Sequence, residues 1–249
     1  MKITVLILTK NEELHIERCI KSARLITDRI LVVDSFSSDK TIPILEKLGV
    51  KYIQRKWINY SEQFSFAMKA DPWSSCYQFR LDADEVLDDT LVKEINSLDF
   101  KADGYELRRK LIFNDNWIKY GGYYPTWLTR LFKNEVTVIE NQMMDEHMIV
   151  SGNLQKLRGH VIDHNLNDID WWTNKHLGYA NRELLDIKFN SNAGNLFSRN
   201  QSMRKRWIKH NIYQKMSPVL RVILYFLYRY VFLLGFLDGR NGFYWHFYQ

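Results

Sequence analysis

The stretch ITVLILTKNE, residues 3–12, decides the fold of this chain. Six apolar or β-branched positions, 3–8, are followed at once by four polar ones. A continuous apolar run of this length predicts a strand that is buried on both faces, as in a parallel sheet covered by helices. Residues 12–23 then repeat apolar side chains at helical spacing. The stretch therefore opens a strand–helix unit.

The same alternation continues to about residue 100. We expect apolar strands at residues 29–33, 50–53 and 76–81, and helices at residues 40–48, 60–70 and 88–98. Helical crossovers between short buried strands are typical of a parallel sheet. Residues 104–164 are richer in strand signals, and residues 171–186 are helical in pattern. The predicted fold class is α/β, with a Rossmann-like, mostly parallel sheet and helices on both faces.

The composition is that of a folded protein without a marked preference for nucleic acid. Of 249 residues, 46% are hydrophobic and 26% charged, with a net charge of +6. So mild a charge does not by itself indicate a nucleic-acid partner, and none is expected. Cys19 and Cys76 form no CxxC pair, which favours a reducing compartment and argues against a zinc site. The first apolar run is too short for a secretory signal, so we expect a cytoplasmic protein.

Asp82-Ala83-Asp84-Glu85 follows the strand predicted at residues 76–81. In an extended backbone, the side chains of Asp82 and Asp84 point the same way. Ligands bind at the carboxyl edge of open α/β sheets, and two carboxylates there suit a hard divalent cation that bridges to phosphates. The alternative interpretation is an ordinary helix cap with solvated acids before the helix at residues 88–98.

Two other predicted strands end in polar residues at the same sheet edge. Thr9-Lys10-Asn11-Glu12 follows the first strand, and a segment that begins with Asp34 and ends with Asp39 follows the second. Capping of the following helices uses the same residue types and accounts for part of this pattern. The recurrence of acids at three strand ends nevertheless favours a ligand site.

Three segments together resemble the N-terminal signatures of the family 2 glycosyltransferases. They are ILTKNEE (7–13), VVDSFSSDKT (32–41) and LDADE (81–85). The likeness continues less tightly through residues 128–132, 145–147, 172–183 and 235–239, and so covers nearly the whole chain. The combination is specific for the superfamily, although no single motif is. The later motifs are similar to those of bacterial members that build lipopolysaccharide core and exopolysaccharide.

This resemblance implies an inverting enzyme with a GT-A fold that uses a nucleotide-sugar donor, with a UDP-sugar favoured. By position, Thr9, Asn11, Glu12, Asp34 and Asp82 would bind the donor, with Asp34 at the base and Asp82 near the ribose. Asp84 would ligate Mn²⁺ or Mg²⁺ on the diphosphate. Glu146 is the expected catalytic base, with Asp145 as the second candidate. A solvated turn is the alternative interpretation of these last two acids.

The chain is expected to divide by role into residues 1–100, which bind the nucleotide sugar, residues 101–190, which bind the acceptor and supply the base, and a basic, aromatic appendage at residues 191–249. Within the appendage, residues 218–237 are almost wholly apolar, but Arg221 and Arg229 interrupt them. A central arginine disfavours a spanning helix. We expect a helix in the headgroup region on the cytoplasmic face of the inner membrane. The alternative is a core helix or a homo-oligomer interface.

The leading hypothesis is transfer of a single sugar to a glycan or lipid-linked acceptor in cell-surface polysaccharide synthesis. A sugar-phosphate nucleotidyltransferase is a rival, but such enzymes usually carry glycine after the first strand, and Thr9–Glu12 has none. A non-catalytic, membrane-bound nucleotide-binding scaffold is the second rival, and the acids at three strand ends speak against it. His147, His160, His164 and His176 match no metal-ligand spacing and are expected to be structural, although His164 is a candidate neighbour of the diphosphate.

Overall fold

The computed structural model describes residues 3–140, 147–178, 207, 211 and 216–249. The chain separates into two compact units. Unit 1 comprises Met1–Trp117 and Tyr124–Trp172, and unit 2 comprises Ile118–Tyr123 and Thr173–Gln249. The expected division at residues 100 and 190 concerns roles along the chain and stays a prediction.

Unit 1 opens with the predicted alternation of strands and helices. The strands are β1 (Ile3–Thr9), β2 (Ile30–Asp34), β3 (Lys51–Gln54) and β4 (Tyr77–Arg80), and the helices are α1 (Ile16–Ala23), α2 (Thr41–Lys47), α3 (Tyr60–Lys69) and α4 (Asp89–Asn96). Each strand and helix lies within a few residues of its expected position. Asn59 and Asp88 cap α3 and α4, because each side chain accepts a backbone N–H of the first helical turn.

The later strands complete a mixed sheet. They are β5 (Glu85–Leu87), β6 (Gly104–Phe113), β7 (Asn116–Ile118), β8 (Thr126–Lys133), β9 (Thr137–Ile139), β10 (Met148–Val150) and β11 (Leu154–His164). The main sheet has the order β3-β2-β1-β4-β8-β6-β11-β5, with β7 paired to β6, while β9 and β10 form a two-stranded sheet. Strands β1–β4 pair in parallel, as does β6 with β11, whereas β8 and β5 pair antiparallel to their neighbours.

Both faces of the sheet are covered by helices, as predicted. Val5 and Ile7 of β1 pack on one face with residues of α1, α2 and α4, and Leu6 packs on the other face with Phe64 and Met68 of α3. Successive strand residues point to opposite faces, so a strand buried on both must be apolar throughout. The carboxyl ends of β1, β2 and β4 then emerge side by side at one edge.

Unit 2 contains the C-terminal helices. Residues 169–178 are helical and cross from unit 1 into unit 2, and α5 (Pro218–Leu227) continues into a π-helix (Tyr228–Phe232). A 3₁₀-helix (Gly235–Asp238) and α6 (Gly239–Tyr248) follow. Asp238 accepts the backbone N–H groups of Lys119 and Tyr120, which fastens the 3₁₀-helix to the segment at residues 118–123.

The apolar C-terminal stretch is bent and does not form one straight helix. Leu234 adopts a left-handed conformation, with φ at 61°, and interrupts the helical backbone. No single described helix is both long and apolar enough to cross a bilayer. Val219–Phe232 and Gly235–Tyr248 meet those criteria only as a pair, with a bend of 72° between them.

Candidate active site

The ends of β1, β2 and β3 meet at Asp34, whose side chain is fully buried. Thr9 Oγ1 and Gln54 Nε2 each donate to its carboxylate at 3.0 Å. Ser37 donates its backbone N–H at 2.9 Å and also its hydroxyl. A buried carboxylate requires such donors in place of water. Asp34 is therefore held in one orientation at the sheet edge.

The turn after β1 is joined to the turn after β2 through Asn11. Its φ of 57° lies in the left-handed region, which asparagine adopts more readily than most residues. The Asn11 N–H donates to Ser37 Oγ, and Asn11 Oδ1 accepts the N–H of Ser38, both at 2.8 Å. Two of the predicted donor-binding turns thus form one connected structure.

Glu12 is oriented by a buried histidine. The Oε2 atom of Glu12 lies 2.7 Å from Nδ1 of His15, which is 1% exposed. His15 Nε2 accepts the backbone N–H of Leu166 at 2.8 Å. The proton of a neutral ring must therefore be on Nδ1, which donates to Glu12. This contact also connects the turn after β1 with the segment that follows β11.

Asp82-Ala83-Asp84 forms a turn, and the extended backbone expected from the sequence is absent. The Glu85 N–H donates to the carbonyl of Asp82 at 2.9 Å, and β5 begins at Glu85. The two aspartate side chains have different hydrogen-bond partners, so the extended geometry from which they were expected to point the same way does not position them. Both remain at the end of β4, on the edge that carries Asp34.

Asp82 faces two arginines. Arg130 Nη2 donates to Asp82 Oδ2 at 2.9 Å and to Glu85 Oε1 at 2.6 Å, and Arg80 Nε lies 3.4 Å from Asp82 Oδ1. Burial acts to raise the pKa of Asp82, but the charges of Arg130 and Arg80 hold that pKa well below its ordinary value. Asp82 is therefore an ionised carboxylate with its charge already balanced.

Glu85 is the most enclosed acid of this group, with a side chain only 2% exposed. Its Oε2 accepts the backbone N–H of Asp82 at 3.0 Å. Burial raises the pKa of Glu85 to about 8, and the charge of Arg130 opposes this rise. Its contacts fix the shape of the turn, so its role is structural support of Asp82 and Asp84.

Asp84 points to a different set of partners, on the chain segment that ends β11. Its Oδ2 accepts the amide of Asn165 at 3.0 Å, while its carbonyl accepts the guanidinium of Arg18 at 3.0 Å and the N–H of His164 at 3.3 Å. Arg18 also donates to the carbonyl of His164. The Asp84 side chain is only partly buried.

Asp163 is a fourth acid near this turn. It lies opposite Glu85 in the antiparallel β5–β11 ladder. Arg109 Nη1 lies 3.6 Å from its carboxylate. Burial, followed by the negative charge of Asp84, raises the pKa of Asp163 to about 6. Four acids, Asp82, Asp84, Glu85 and Asp163, thus share one end of the sheet with Arg130 and Arg109.

This donor set fits a hard divalent cation. Among the described residues, no group of three or more His, Cys, Asp or Glu side chains is already arranged around a metal position. Mg²⁺ is commonly held by one or two carboxylates, and substrate phosphates complete its coordination. Asp84 suits such a role because its carboxylate is partly exposed and, within the part of the chain that the structure describes, accepts a hydrogen bond from the neutral amide of Asn165 alone. Asp82, in contrast, already faces two guanidinium groups.

A family model described as "Glycosyl transferase family 2" matches residues 4–158, more than half of the chain and almost all of unit 1. The chain belongs to glycosyltransferase family 2. The matched range contains every strand end described above, except that β11 ends just beyond it.

The relatives are uncharacterized members of the same class. An uncharacterized glycosyltransferase of Rickettsia conorii, RC0292, is 43% identical over 96 residues, which are 38% of this chain and 33% of that protein. One from Rickettsia bellii is 44% identical over 96 residues, which are 38% of this chain and 31% of that protein. The matched segment is therefore about a third of each relative's length.

Among solved structures, S. aureus TarS 1–349 in complex with UDP-GlcNAc resembles this glycosyltransferase with a TM-score of 0.50. The sequence identity is 11%, and the match covers 100% of this chain and 90% of that chain. At this identity the likeness concerns the fold, and it confirms the predicted GT-A type of α/β architecture.

The expected catalytic acids of this glycosyltransferase, Glu146 and Asp145, lie outside the described residues. The strands on either side, β9 and β10, pair antiparallel. Glu140 and His147 border the gap, with His147 Nδ1 3.2 Å from Glu140 Oε2. The assignment of the base therefore stays a prediction.

Several side chains of the site were not selected from the sequence. Arg130, Glu85 and Asp163 come from three different strands, and only the fold brings them together. Arg130 belongs to the LTRLF segment at residues 128–132, which carries part of the family resemblance. That resemblance was the one signal in the sequence that could have indicated a role for Arg130 at the site. The pairing of β5 with β11 has no comparable signal in the sequence.

His160 is a structural histidine, as expected. Its Nδ1 lies 2.8 Å from Asp88 Oδ2, and its Nε2 lies 3.0 Å from the hydroxyl of Tyr124. These contacts join α4 to β11 and are separate from the acids at the sheet edge. His164 lies at the end of β11, on the segment that contacts Asp84. Its Nε2 lies 3.3 Å from Asp115 Oδ1.

Proposed function

We propose that this family 2 member is an inverting, metal-dependent glycosyltransferase. It transfers a single sugar from a UDP-sugar to a glycan or lipid-linked acceptor in the synthesis of a cell-surface polysaccharide such as lipopolysaccharide or exopolysaccharide. The observation that carries the proposal is the joint position of Asp34, Asp82 and Asp84 at one sheet edge, inside the family-matched range.

The donor's diphosphate is the group that this edge suits. The backbone turns at Thr9–Glu12 and after Asp34 are rigid and polar, as the pocket for a nucleoside must be. Support for uridine comes from TarS, whose structure was solved with UDP-GlcNAc and shares the fold. Asp34 would lie at the base, and Thr9, Asn11, Glu12 and Asp82 would line the nucleoside and ribose.

Departure of a nucleoside diphosphate leaves negative charge that must be neutralised. Mn²⁺ or Mg²⁺, when bound, supplies that charge as a Lewis acid. Asp84 would hold it, and Arg130 keeps Asp82 ionised and fixed beside it. Because Asp84 and Asp82 have separate partners, the loss of one carboxylate need not displace the other.

The acceptor hydroxyl must lose its proton as it attacks the anomeric carbon from the face opposite the leaving group. A carboxylate within hydrogen-bond reach accelerates such a step about 10²–10⁴-fold. Glu146 is the proposed base, and Asp145 is the second candidate. Glu146→Gln is expected to retain donor binding and to lose transfer.

Donor binding to the full chain tests the site. Calorimetric titration of UDP-glucose and UDP-GlcNAc, with and without Mn²⁺, should show metal-dependent binding that Asp84→Asn removes. Asp28→Asn is the matched control, since Asp28 is exposed and precedes β2, at the opposite end of the strand.

Two results would contradict the proposal. Metal-dependent binding that survives Asp84→Asn would exclude Asp84 as the ligand. Release of pyrophosphate instead of UDP from a functioning reaction would identify a nucleotidyltransferase.

A further inference from the structure

The net positive charge of the chain comes from its last fifth. Residues 201–249 contain eight of the 35 Lys and Arg residues but one of the 29 Asp and Glu residues, so this segment has a net charge of +7. The first 200 residues hold 27 basic and 28 acidic residues, a net charge of −1. The moderate overall charge of +6 therefore conceals a nearly neutral body and a strongly basic C-terminal segment.

The same segment exposes a large apolar surface in unit 2. We call the helices α5 and α6, with the residues between them, the bent helix pair. Six of its large apolar side chains are between 50% and 75% exposed: Val219, Val222, Ile223, Phe232, Leu237 and Phe247. Soluble monomers rarely expose contiguous apolar patches of more than a few hundred Å², and larger ones mark protein or membrane contacts.

Two of the charged residues in the bent helix pair make hydrogen bonds within unit 2. Arg229 Nε donates to the carbonyl of Gly121 at 2.8 Å, and its guanidinium lies over the ring of Tyr123 at 3.9 Å. Asp238 accepts the N–H groups of Lys119 and Tyr120 at 3.1 and 2.8 Å. Arg221 and Arg240 are the remaining Lys, Arg, Asp or Glu residues between positions 216 and 249. The inward contacts of Arg229 and Asp238 leave a surface that is mostly hydrocarbon.

The dimensions of the pair suit the surface of a bilayer. The two helical arms of the pair, Val219–Phe232 and Gly235–Tyr248, have 14 residues each, or about 21 Å of length at ~1.5 Å per residue, against a hydrocarbon core of ~30 Å. The bend of 72° separates the two axes. Short apolar helices rich in aromatic side chains and flanked by basic residues are the kind that lie in the headgroup region.

We propose that the bent helix pair docks this chain onto a membrane surface that carries anionic lipid headgroups. The net charge of the segment favours a membrane surface over a second copy of the chain as the partner of the bent helix pair. Self-association would bring two segments of +7 together, whereas each Lys or Arg near an anionic bilayer gains ~1 kcal/mol of attraction. Apolar side chains of the bent helix pair would enter the boundary between headgroups and acyl chains, and the net positive charge of residues 201–249 would attract the anionic headgroups.

Vesicle flotation of the full chain tests the proposal. The probes are vesicles of phosphatidylcholine alone and of phosphatidylcholine mixed with phosphatidylglycerol. Wild-type protein is expected to float with the mixed vesicles. When only phosphatidylcholine vesicles are present, most of the protein should stay in the bottom fraction, and added salt should reduce the fraction bound to the mixed vesicles. Val222→Glu combined with Phe232→Glu should weaken binding to the mixed vesicles about tenfold or more, because two inserting apolar groups are replaced by charges.

Leu25→Glu is the matched control, since Leu25 is 55% exposed and belongs to unit 1. It should float like wild type. Equal flotation of V222E/F232E and wild type, or no flotation of wild type with anionic vesicles, would overturn the proposal. So would a wild-type dimer that V222E/F232E converts to monomer without any vesicle binding. Circular dichroism and thermal unfolding, compared with wild type, check that V222E/F232E is folded. Flotation does not depend on UDP-sugar binding, so this test stays separate from the one on Asp84.

Discussion

At the scale of single residues, Arg130 is the group on which the acidic turn depends. It is 7% exposed and donates to both Asp82 and Glu85, which belong to the segment after β4. Without Arg130, the carboxyl groups of Asp82 and Glu85 would lose a shared donor, and Glu85, which is 2% exposed, has little access to water in its place. The family resemblance assigned functional roles to the acids, and the structure adds the residue that makes their proximity tolerable.

Arg130→Met should lower the free energy of unfolding by about 1–3 kcal/mol, because it removes the donor that Asp82 shares with the buried Glu85. Urea denaturation followed by circular dichroism measures the effect. Adding Glu85→Gln to Arg130→Met should change the stability little, since a carboxyl group with its pKa raised to about 8 is already mostly neutral at pH 7. Arg158→Met, at an exposed position of β11, is the control. Equal stability of R130M and R158M would show that the Arg130 contacts contribute little.

His246 is the second residue whose environment has a measurable effect. It is 2% exposed and lies against the rings of Tyr123 and Tyr230, and its burial, with the nearby charge of Arg229, lowers its pKa to about 4. The unfolded chain, with a pKa near 6.5, takes up a proton first as the pH falls. Stability from this group is therefore complete above about pH 6.5 and is lost as the pH falls toward 4.

His246→Phe should remove that pH dependence, because a phenyl ring fills the space without titrating. Thermal unfolding between pH 7 and pH 4, monitored by limited proteolysis of the C-terminal helices, measures it. His147→Phe is the comparison, since His147 is 54% exposed. A wild-type profile that is flat over this interval would contradict the assignment.

At the scale of elements, the contact of α4 with β11 is closest at Gly159. A Cβ built there would lie 2.3–2.5 Å from the backbone N, Cα and Cβ of Leu91. Glu94 of α4 accepts the N–H groups of Arg158 and Gly159, and Asp88 accepts that of His160. The start of α4 and its last turn are therefore both attached to one strand.

Gly159→Ala should lower the free energy of unfolding by about 1–3 kcal/mol or more, since backbone must move to admit the methyl group. Gly178→Ala is a strong control, because that glycine is helical and no described residue outside its own helix lies within 4 Å of the added Cβ, and alanine favours a helix over glycine by about 1 kcal/mol. Differential scanning calorimetry should give melting-temperature shifts of opposite sign. A neutral Gly159→Ala would mean that α4 can move away from β11.

The strands differ in how well the sequence predicts them. Strands β1–β4 are predictable because each is buried on both faces and therefore apolar throughout. β5 is not predictable, because it has three residues and begins with an acid, Glu85. The buried carboxyl group of Glu85 accepts a hydrogen bond from Arg130, which lies 45 positions away in the sequence. The bounds of β6 and β11 are not readable within the strand-rich region at residues 104–164, since residues 108–110 of β6 and 155–156 of β11 are polar and interrupt an apolar run.

At the scale of the whole molecule, the site and the proposed membrane contact differ in how far the sequence determines them. Asp34, Asp82 and Asp84 could be placed at one edge because parallel strands end together. Their individual partners could not, because the turn at Asp82–Asp84 depends on Glu85 and on distant strands. The apolar C-terminal stretch was recognisable from composition, whereas its bend depends on the backbone conformation of Leu234.

For the proposed membrane docking, the 72° bend predicts a mechanical consequence for the lipid. Two short helices that enter from one side displace headgroups in a single leaflet and add area to that leaflet alone. Such an insertion is relieved where the outer leaflet is already stretched, so we expect this chain to prefer small, strongly curved vesicles over large, flat ones of the same composition. Flotation with vesicles extruded to two diameters measures that preference. Equal binding to both sizes would mean that the helices rest on the headgroups without separating them.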